Sequence, residues 1–274
     1  MLTRIIVAAI GLPLFLAVIF FAPVWVYGIV VGIIAGLSAW ELLRAVGGVN
    51  KRMHIISSLF ALSMPILSII YDAGAVFTVM VFLLFAYTLC ELMSSVSHEK
   101  GLKLETVALC ILAGAVMPLM LTSLVKLAQR PHGVAYALLP FVAAFLSDSG
   151  AYFVGIFFGK HKLCPLLSPK KTVEGAVGGL VTTVASMMIF GLVLLALDYK
   201  VNFLYMGIYG IFGSAACQLG DLSFSAIKRL YGVKDYGNLL PGHGGMLDRF
   251  DSTFWTAVMM DILVSWLPAF EKIG

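Results

Sequence analysis

The most polar part of this chain is a stretch near its C-terminal end: Gln218-Leu-Gly-Asp-Leu-Ser-Phe-Ser-Ala-Ile-Lys-Arg229, then Lys234-Asp235, then Pro241-Gly-His-Gly-Gly-Met-Leu-Asp-Arg-Phe-Asp251. Four of the 14 acidic residues and four of the 18 Lys and Arg residues fall in it. The segments around it are apolar. Ionisable residues are costly to keep beside a membrane, so a functional role is the first hypothesis for this stretch.

The composition indicates an integral membrane protein. Of the 274 residues, 61% are hydrophobic and 12% are charged, and the mean hydropathy is +1.02. A soluble domain carries roughly 25% charged residues. The apolar runs are continuous rather than alternating, which predicts an all-α polytopic protein. The four cysteines are scattered, which is typical of neither a zinc site nor a disulfide framework.

A membrane-spanning helix needs about 20 mostly apolar residues. On that measure the sequence predicts about nine spans, and we interpret the first as uncleaved rather than as a signal peptide. The predicted spans are 5–22, 24–44, 54–71, 74–92, 105–128, 134–158, 175–197, 202–227 and 251–269.

Lys and Arg residues fall unevenly on the two sides that nine spans define. One side receives fourteen of them and the other receives four. Positively charged loops stay in the cytoplasm. The pattern therefore predicts a plasma or inner membrane protein, if bacterial, with loops 159–174 and 228–250 and the N-terminus inside and the C-terminus outside.

Chemistry is expected in the second half of the chain. Residues 1–130 hold about five spans without a chemical motif, and we interpret Glu41 and Glu91 there as carboxylates that reach the helix end. Residues 131–274 form the predicted catalytic region. Asp261, in the last span, is interpreted as an interhelical polar contact.

Gln218, Asp221, Ser225 and Lys228 are spaced by three, four and three residues, which puts them on one helix face. Such a stripe indicates either a hydrated cavity or an interhelical hydrogen-bond seam. The loop that follows favours the cavity, because its glycines allow close approach to a phosphate. Carboxylates from two elements, completed by phosphates, are how proteins usually hold Mg²⁺.

A second polar patch runs from Ser147-Asp148 to Gly175. Asp148 is either a site residue or a carboxylate bonded to a neighbouring helix. Ser168-Pro169-Lys170-Lys171 predicts a helix start, with the serine as cap and the proline at the first position. A helix N-terminus flanked by two lysines predicts an anion site, although the lysines could serve membrane topology only.

At these residues the sequence resembles the phosphatidate cytidylyltransferase (CDP-diglyceride synthase) family. The family signature is Ser-x-apolar-Lys-Arg-x₄-Lys-Asp-x-small-x₂-apolar-Pro-x-His-Gly-Gly-apolar-x-Asp-Arg-apolar-Asp, and Ser225 to Asp251 fits every fixed position. The Ser-Pro-Lys-Lys-Thr-x-Glu-Gly run at 168–175 is similar to the family's upstream block. Residues 1–130 match only in being several spans.

The resemblance implies that CTP and phosphatidate react to CDP-diacylglycerol and pyrophosphate at the cytoplasmic face of the bilayer. It implies Mg²⁺ as the cofactor, as one ion or two, no nucleic acid partner, and a homodimer as an assembly to test. The catalytic residues would be Asp221, Asp248, Lys228, Arg249 and His243. The metal ligands would be Asp221, Asp248, Asp251 and Asp148. Substrate contacts would come from Ser168, Lys170, Lys171, Thr172, Glu174, Ser225, Arg229, Lys234, Asp235, Gly244 and Gly245.

Two other functions compete with this one. A CTP-dependent lipid kinase, for a polyprenol for instance, would share a metal–nucleotide site but would need a base to activate an alcohol. A transporter of organic phosphates should show internal repeats with broken helices in both halves. The sequence shows no such repeat.

Overall fold

Apolar segments of this length become helices because a helix satisfies its backbone hydrogen bonds internally. The computed structural model describes residues 2–97, 101–239, 242 and 244–272, without the side chains of residues 2–8, 10 and 12. The helices are α1 (Leu2–Phe21), α2 (Val24–Val46), α3 (Lys51–Leu67), α4 (Ala73–Ser97), α5 (Leu104–Ile111), α6 (Met117–Gln129), α7 (Gly133–Phe158), α8 (Val173–Ala196), α9 (Phe203–Leu230) and α10 (Leu247–Trp266). A π-helical turn, Leu112–Val116, joins α5 to α6.

Each predicted span falls on a helix, and α5 and α6 with their π-helical turn form one continuous segment. The protein is an all-α membrane protein. Six helical segments within the described ranges are long and apolar enough to cross a membrane: Val24–Val46, Ala73–Ser97, Leu104–Gln129, Gly133–Phe158, Val173–Ala196 and Phe203–Leu230. The count of nine spans stays a prediction.

The structure divides into two compact units. The first contains Met1–Gln129 and Tyr231–Phe250, and the second contains Arg130–Leu230 and Asp251–Gly274. The loop 228–250, which the sequence analysis placed with residues 131–274, therefore lies mostly in the unit that holds the first half of the chain.

Small residues let helices approach closely in both units. In the first unit, Gly28, Gly32 and Gly36 recur every four residues along α2, and a Cβ at Gly32 would lie 2.6 Å from the carbonyl oxygen of Leu62 on α3. In the second unit, a Cβ at Gly179 on α8 would lie 2.8 Å from the Ser147 carbonyl oxygen of α7. Packing of this kind replaces the hydrophobic driving force that is missing inside a lipid bilayer.

Two short antiparallel strand pairs lie in the second unit. Strand β1 (Lys162–Cys164) pairs with β2 (Ser168–Thr172), and β3 (Tyr199–Val201) pairs with β4 (Phe270–Lys272). The first pair lies between α7 and α8, so it forms a hairpin at the C-terminal end of α7.

The predicted helix start at Ser168 and Pro169 is wrong. Both residues lie in β2, and α8 begins at Val173 with Thr172 as its N-cap, whose hydroxyl accepts a hydrogen bond from the Gly175 amide at 3.1 Å. Proline suits an edge strand as well as the first turn of a helix, because its fixed φ is compatible with both. Pairing with β1 decides between them here.

Candidate active site

Three carboxylates from three helices lie together in the second unit. Asp148 belongs to α7, Asp221 to α9 and Asp251 to α10. Asp148 contacts the side chains of Cys217, which lies about one helical turn before Asp221 on α9, and of Ser252, which follows Asp251 on α10. The structure therefore brings three of the four predicted metal ligands into one cluster.

Asp148 receives two side-chain hydrogen bonds from neighbouring helices. The Cys217 thiol donates to Oδ1 at 3.4 Å, and the Ser252 hydroxyl donates to Oδ2 at 3.5 Å. These bonds fix the carboxylate at the junction of α7, α9 and α10. The interpretation of Asp148 as a carboxylate bonded to neighbouring helices is confirmed. Asp148 also lines a cavity, and its role as a site residue stays a prediction.

Asp221 and Asp251 each face a lysine. The Lys171 ammonium forms an ion pair with Asp221, and Ser225 donates to the same carboxylate at 3.2 Å. The Lys228 Nζ lies 3.9 Å from Asp251 Oδ2, and both side chains are largely buried. Two of the three negative charges are thus opposed by cations that come from the hairpin and from α9.

The polar face of α9 both lines a cavity and forms an interhelical hydrogen bond, the two alternatives that the sequence left open. Gln218 donates to the Ala176 carbonyl of α8 at 3.0 Å, which is an interhelical bond. Gln218 and Asp221 also line a cavity of about 620 Å³. The remaining polar wall of this cavity consists of Asp148, Lys162, Lys170, Lys171 and Thr172.

The cavity lining also includes apolar residues. They are Ala151, Tyr152 and Ile156 of α7 and Leu163 of the hairpin, with Ala176 of α8. The lining therefore combines charged groups that suit phosphates with apolar groups that suit a hydrocarbon chain.

A larger cavity of about 800 Å³ lies beside β3 and β4. Its Arg130 pairs with Asp261 at 3.4 Å, and its Lys200 stands opposite Glu271 across the strand pair. Asp261 is thus a polar contact within the second unit, made to Arg130 in the loop between α6 and α7. The smaller cavity is the better candidate site, because two of the three clustered carboxylates, Asp148 and Asp221, line it.

Several residues that were predicted as substrate contacts also make contacts that hold the hairpin. The Glu174 carboxylate accepts hydrogen bonds from the backbone amides of Lys160 at 3.0 Å and His161 at 3.2 Å. Thr172 is occupied as the cap of α8, and Ser168 begins β2. Arg229 donates to the Leu167 carbonyl at 3.2 Å. These contacts fix the loop that presents Lys170 and Lys171.

The glycine-rich loop lies in the first unit and is organised by Asp248. This buried carboxylate accepts the amides of Tyr236 at 2.8 Å and Gly245 at 3.0 Å. Gly244 has φ +84°, a left-handed conformation in which a side chain would be strained. Lys234, Asp235 and Arg249 are exposed, and His243 lies outside the described residues.

Glu41 of α2 binds the same loop, which the sequence analysis did not foresee. It is buried, with 6% exposure, and its two oxygens accept the amides of Met246 at 2.9 Å and Leu247 at 2.8 Å. The interpretation of Glu41 as a carboxylate that reaches toward solvent is therefore wrong. A charged residue near the end of an apolar helix was the signal that pointed to a role.

The predicted pair of metal ligands Asp221 and Asp248 falls in different units of the structure. Among the described residues, no group of three or more His, Cys, Asp or Glu side chains is arranged to hold a metal ion.

Comparison with known proteins agrees with these features. Residues 2–267 match the model of the "Cytidylyltransferase family". A phosphatidate cytidylyltransferase of Staphylococcus saprophyticus is 34% identical over 253 residues, which cover 91% of this chain and 95% of that protein. One from Bacillus subtilis is 46% identical over 134 residues, which are 49% of each chain, and one from Staphylococcus haemolyticus is 44% identical over 137 residues, covering 50% and 52%.

Proposed function

The chain belongs to the cytidylyltransferase family, and we propose that it condenses CTP with phosphatidate in the cavity of the second unit, giving CDP-diacylglycerol and pyrophosphate. The observation that carries this site is the cavity itself, whose lining combines the lysines of the β1–β2 hairpin and two carboxylates with apolar residues. The name of the relatives favours this transferase over the lipid kinase and the transporter.

The reaction needs little proton chemistry. A phosphatidate oxygen, already anionic, attacks the α-phosphorus of CTP, the bond from that phosphorus to the β-phosphate bridging oxygen breaks, and pyrophosphate leaves. The difficulty is to bring two polyanions together and to stabilise the charge on the leaving group. Lys162, Lys170 and Lys171 line the cavity and supply positive charge for this purpose.

The donor set of the second unit fits Mg²⁺. Carboxylate oxygens are hard ligands, and Asp221 with either Asp148 or Asp251 would supply the one or two protein ligands that magnesium usually takes alongside phosphates. When bound, the ion would neutralise triphosphate oxygens and stabilise the pyrophosphate that leaves. The contribution of Asp248, and of a second ion, stays a prediction.

The apolar residues of the cavity lining suit the lipid substrate. Tyr152 and Ile156 are exposed on α7 and line the cavity next to the charged residues. A phosphatidate molecule has a phosphate next to two acyl chains, so it needs both kinds of surface within one binding site. We place the phosphate against the lysines and the start of an acyl chain against α7.

The protein is integral to the membrane, and we place its reaction on the cytoplasmic face. The placement rests on the lysine-rich hairpin 159–174 and on the uneven distribution of Lys and Arg residues. This proposal also places the N-terminus inside and the C-terminus outside, and it includes a homodimer as the assembly to test.

A double-label assay tests the reaction. Purified protein in detergent micelles that contain phosphatidate and a polyprenol, supplied with Mg²⁺ and CTP labelled at either the α- or the γ-phosphate, should transfer only the α-label to lipid. Transfer of the γ-label would identify a lipid kinase, and no labelled lipid at all would contradict both enzymes.

The same assay tests the site through Asp221→Asn, which keeps the shape of the side chain but removes its charge. We expect turnover to fall at least about 100-fold, the loss typical when a preorganised electrostatic contact is removed. Asp261→Asn, at the Arg130 contact outside the cavity, is the matched control and should keep most of its activity. Near-normal turnover of Asp221→Asn would contradict the site.

A further inference from the structure

We propose that Glu41 is a positioning residue for the reaction: it holds the backbone of the glycine-rich loop, and with it Asp248, in the catalytic conformation. The role rests on the proposed function, because Asp248 matters only if this loop takes part in the transfer. The motif that contains the loop lies far along the chain from Glu41, so the sequence pattern gives Glu41 no role.

The contact is bidentate and uses main-chain donors. One Glu41 oxygen accepts the Met246 amide and the other accepts the Leu247 amide. Leu247 is the first residue of α10. The first amides of a helix have no partner within the helix, and a carboxylate there is favoured by the helix dipole. Glu41 therefore caps α10 from a different helix.

Glu41 and Asp248 together accept hydrogen bonds from four backbone amides of one loop. Asp248 Oδ2 accepts the amides of Tyr236 and Gly245, and Glu41 accepts the next two amides along the chain. The position of the Asp248 backbone is thus determined on its N-terminal side by the Glu41 carboxylate. A shift of Glu41 should be transmitted to Asp248 through a single residue, Leu247.

Two glycines make room for the carboxylate. A Cβ at Gly245 would lie 2.3 Å from Glu41 Oε2, and a Cβ at Gly237 would lie 2.5 Å from Glu41 Oε1. Either distance is far below van der Waals contact. Both glycines belong to the motif, so part of its small-residue pattern is explained by a partner on α2 rather than by a substrate phosphate.

Hydrogen exchange tests the contact without substrate or metal. Glutamine has one acceptor oxygen and an amide nitrogen that only donates, so Glu41→Gln leaves one loop amide without a partner. Exchange in a peptide covering 244–250 should become roughly 5- to 10-fold faster, as expected for one lost hydrogen bond. Glu91→Gln is the matched control, since Glu91 accepts from the side chains of Asn50 and Tyr87 and should leave this peptide unchanged.

Kinetics then test the positioning role. In Glu41→Gln the Mg²⁺ concentration for half-maximal turnover should rise and kcat should fall. The product of the two changes should be roughly 10- to 100-fold, as when a residue that orients a ligand is removed. Glu91→Gln should match the wild type. If Glu41→Gln does not fold, Gly237→Ala displaces the same carboxylate and should give the same two changes.

The outcomes separate this inference from the proposed function. A wild-type protein that makes no CDP-diacylglycerol contradicts the function. An active wild type with unchanged exchange in Glu41→Gln contradicts the contact. Faster exchange with unchanged kcat and unchanged Mg²⁺ dependence would make Glu41 a structural residue only, which also overturns the inference.

Discussion

Lys170 and Lys171 are neighbours in sequence but have different environments. Both line the cavity, but Lys171 is half-buried and pairs with Asp221, whereas Lys170 is exposed on the same strand. Because Lys171 is held by a carboxylate of the site and Lys170 is exposed, we expect the two lysines to contribute unequally to substrate binding. The distinction could not be predicted while the segment was interpreted as a helix start.

Lys171→Ala should therefore be the more damaging of the two substitutions. We expect it to lower kcat/KM about 10- to 100-fold, since a hydrogen bond to a charged group contributes roughly 1.5–3 kcal/mol. Lys170→Ala should cost clearly less, and Lys200→Ala on β3 is the control that should cost nothing. Steady-state kinetics with varied CTP and phosphatidate measure this. Equal losses for Lys170 and Lys171 would contradict the assignment.

Single residues of the site were predictable where charge interrupts an apolar helix. Asp148, Asp221 and Asp251 stand out in the sequence for this reason, and the structure brings them together. Glu41 stands out equally, but its partners lie 205 and 206 residues away. A residue whose partners are backbone amides leaves no complementary side chain in the sequence, so its role could not be predicted.

At the scale of elements, the hairpin replaces the predicted anion-binding helix N-terminus. Serine, proline and threonine give the same local signals at a strand as at a helix cap, and only pairing with Lys162–Cys164 distinguishes them. The consequence is functional. The lysines are presented by a strand whose C-terminal end is fixed by Glu174 and by the cap of α8, while Arg229 binds the Leu167 carbonyl just before the strand begins.

Thr172 fixes the boundary between that strand and α8. Thr172→Ala removes the hydroxyl that accepts the Gly175 amide and should lower the free energy of unfolding by about 1 kcal/mol, the typical value of an N-cap. Thr172→Ser keeps the hydroxyl and should stay close to the wild type. Thermal unfolding in detergent compares the two variants. A Thr172→Ala melting temperature equal to that of Thr172→Ser would show that the cap contributes nothing.

At the scale of the whole molecule, the helices were predictable because apolar runs of membrane-spanning length have few other solutions in lipid. A boundary near residue 130 was predicted as well, but the placement of the loop that follows α9 was not. Tyr231–Phe250 belongs with Met1–Gln129, and contacts such as those of Glu41 place it there. Tertiary contacts of this kind leave no periodic pattern, so a boundary drawn from motif positions assigns the loop to the wrong neighbours.

The membrane topology is the prediction that tests the whole chain. Nine spans put the ends of the protein on opposite sides and the β1–β2 hairpin in the cytoplasm, because an odd number of crossings reverses the side.

Two single-cysteine variants can report on this topology in a background with the four cysteines replaced by serine. Leu166→Cys lies in the highly exposed hairpin turn, and Lys272→Cys lies at an exposed position of β4. An impermeant maleimide should label position 272 in intact cells and position 166 only after permeabilisation. The activity of each variant serves as the control for folding. If both positions are labelled only after permeabilisation, the chain crosses the membrane an even number of times between them. Of the three helices between the two positions, α8, α9 and α10, only α10 is absent from the six helical segments that are long and apolar enough to span, so α10 would be the first to reassign.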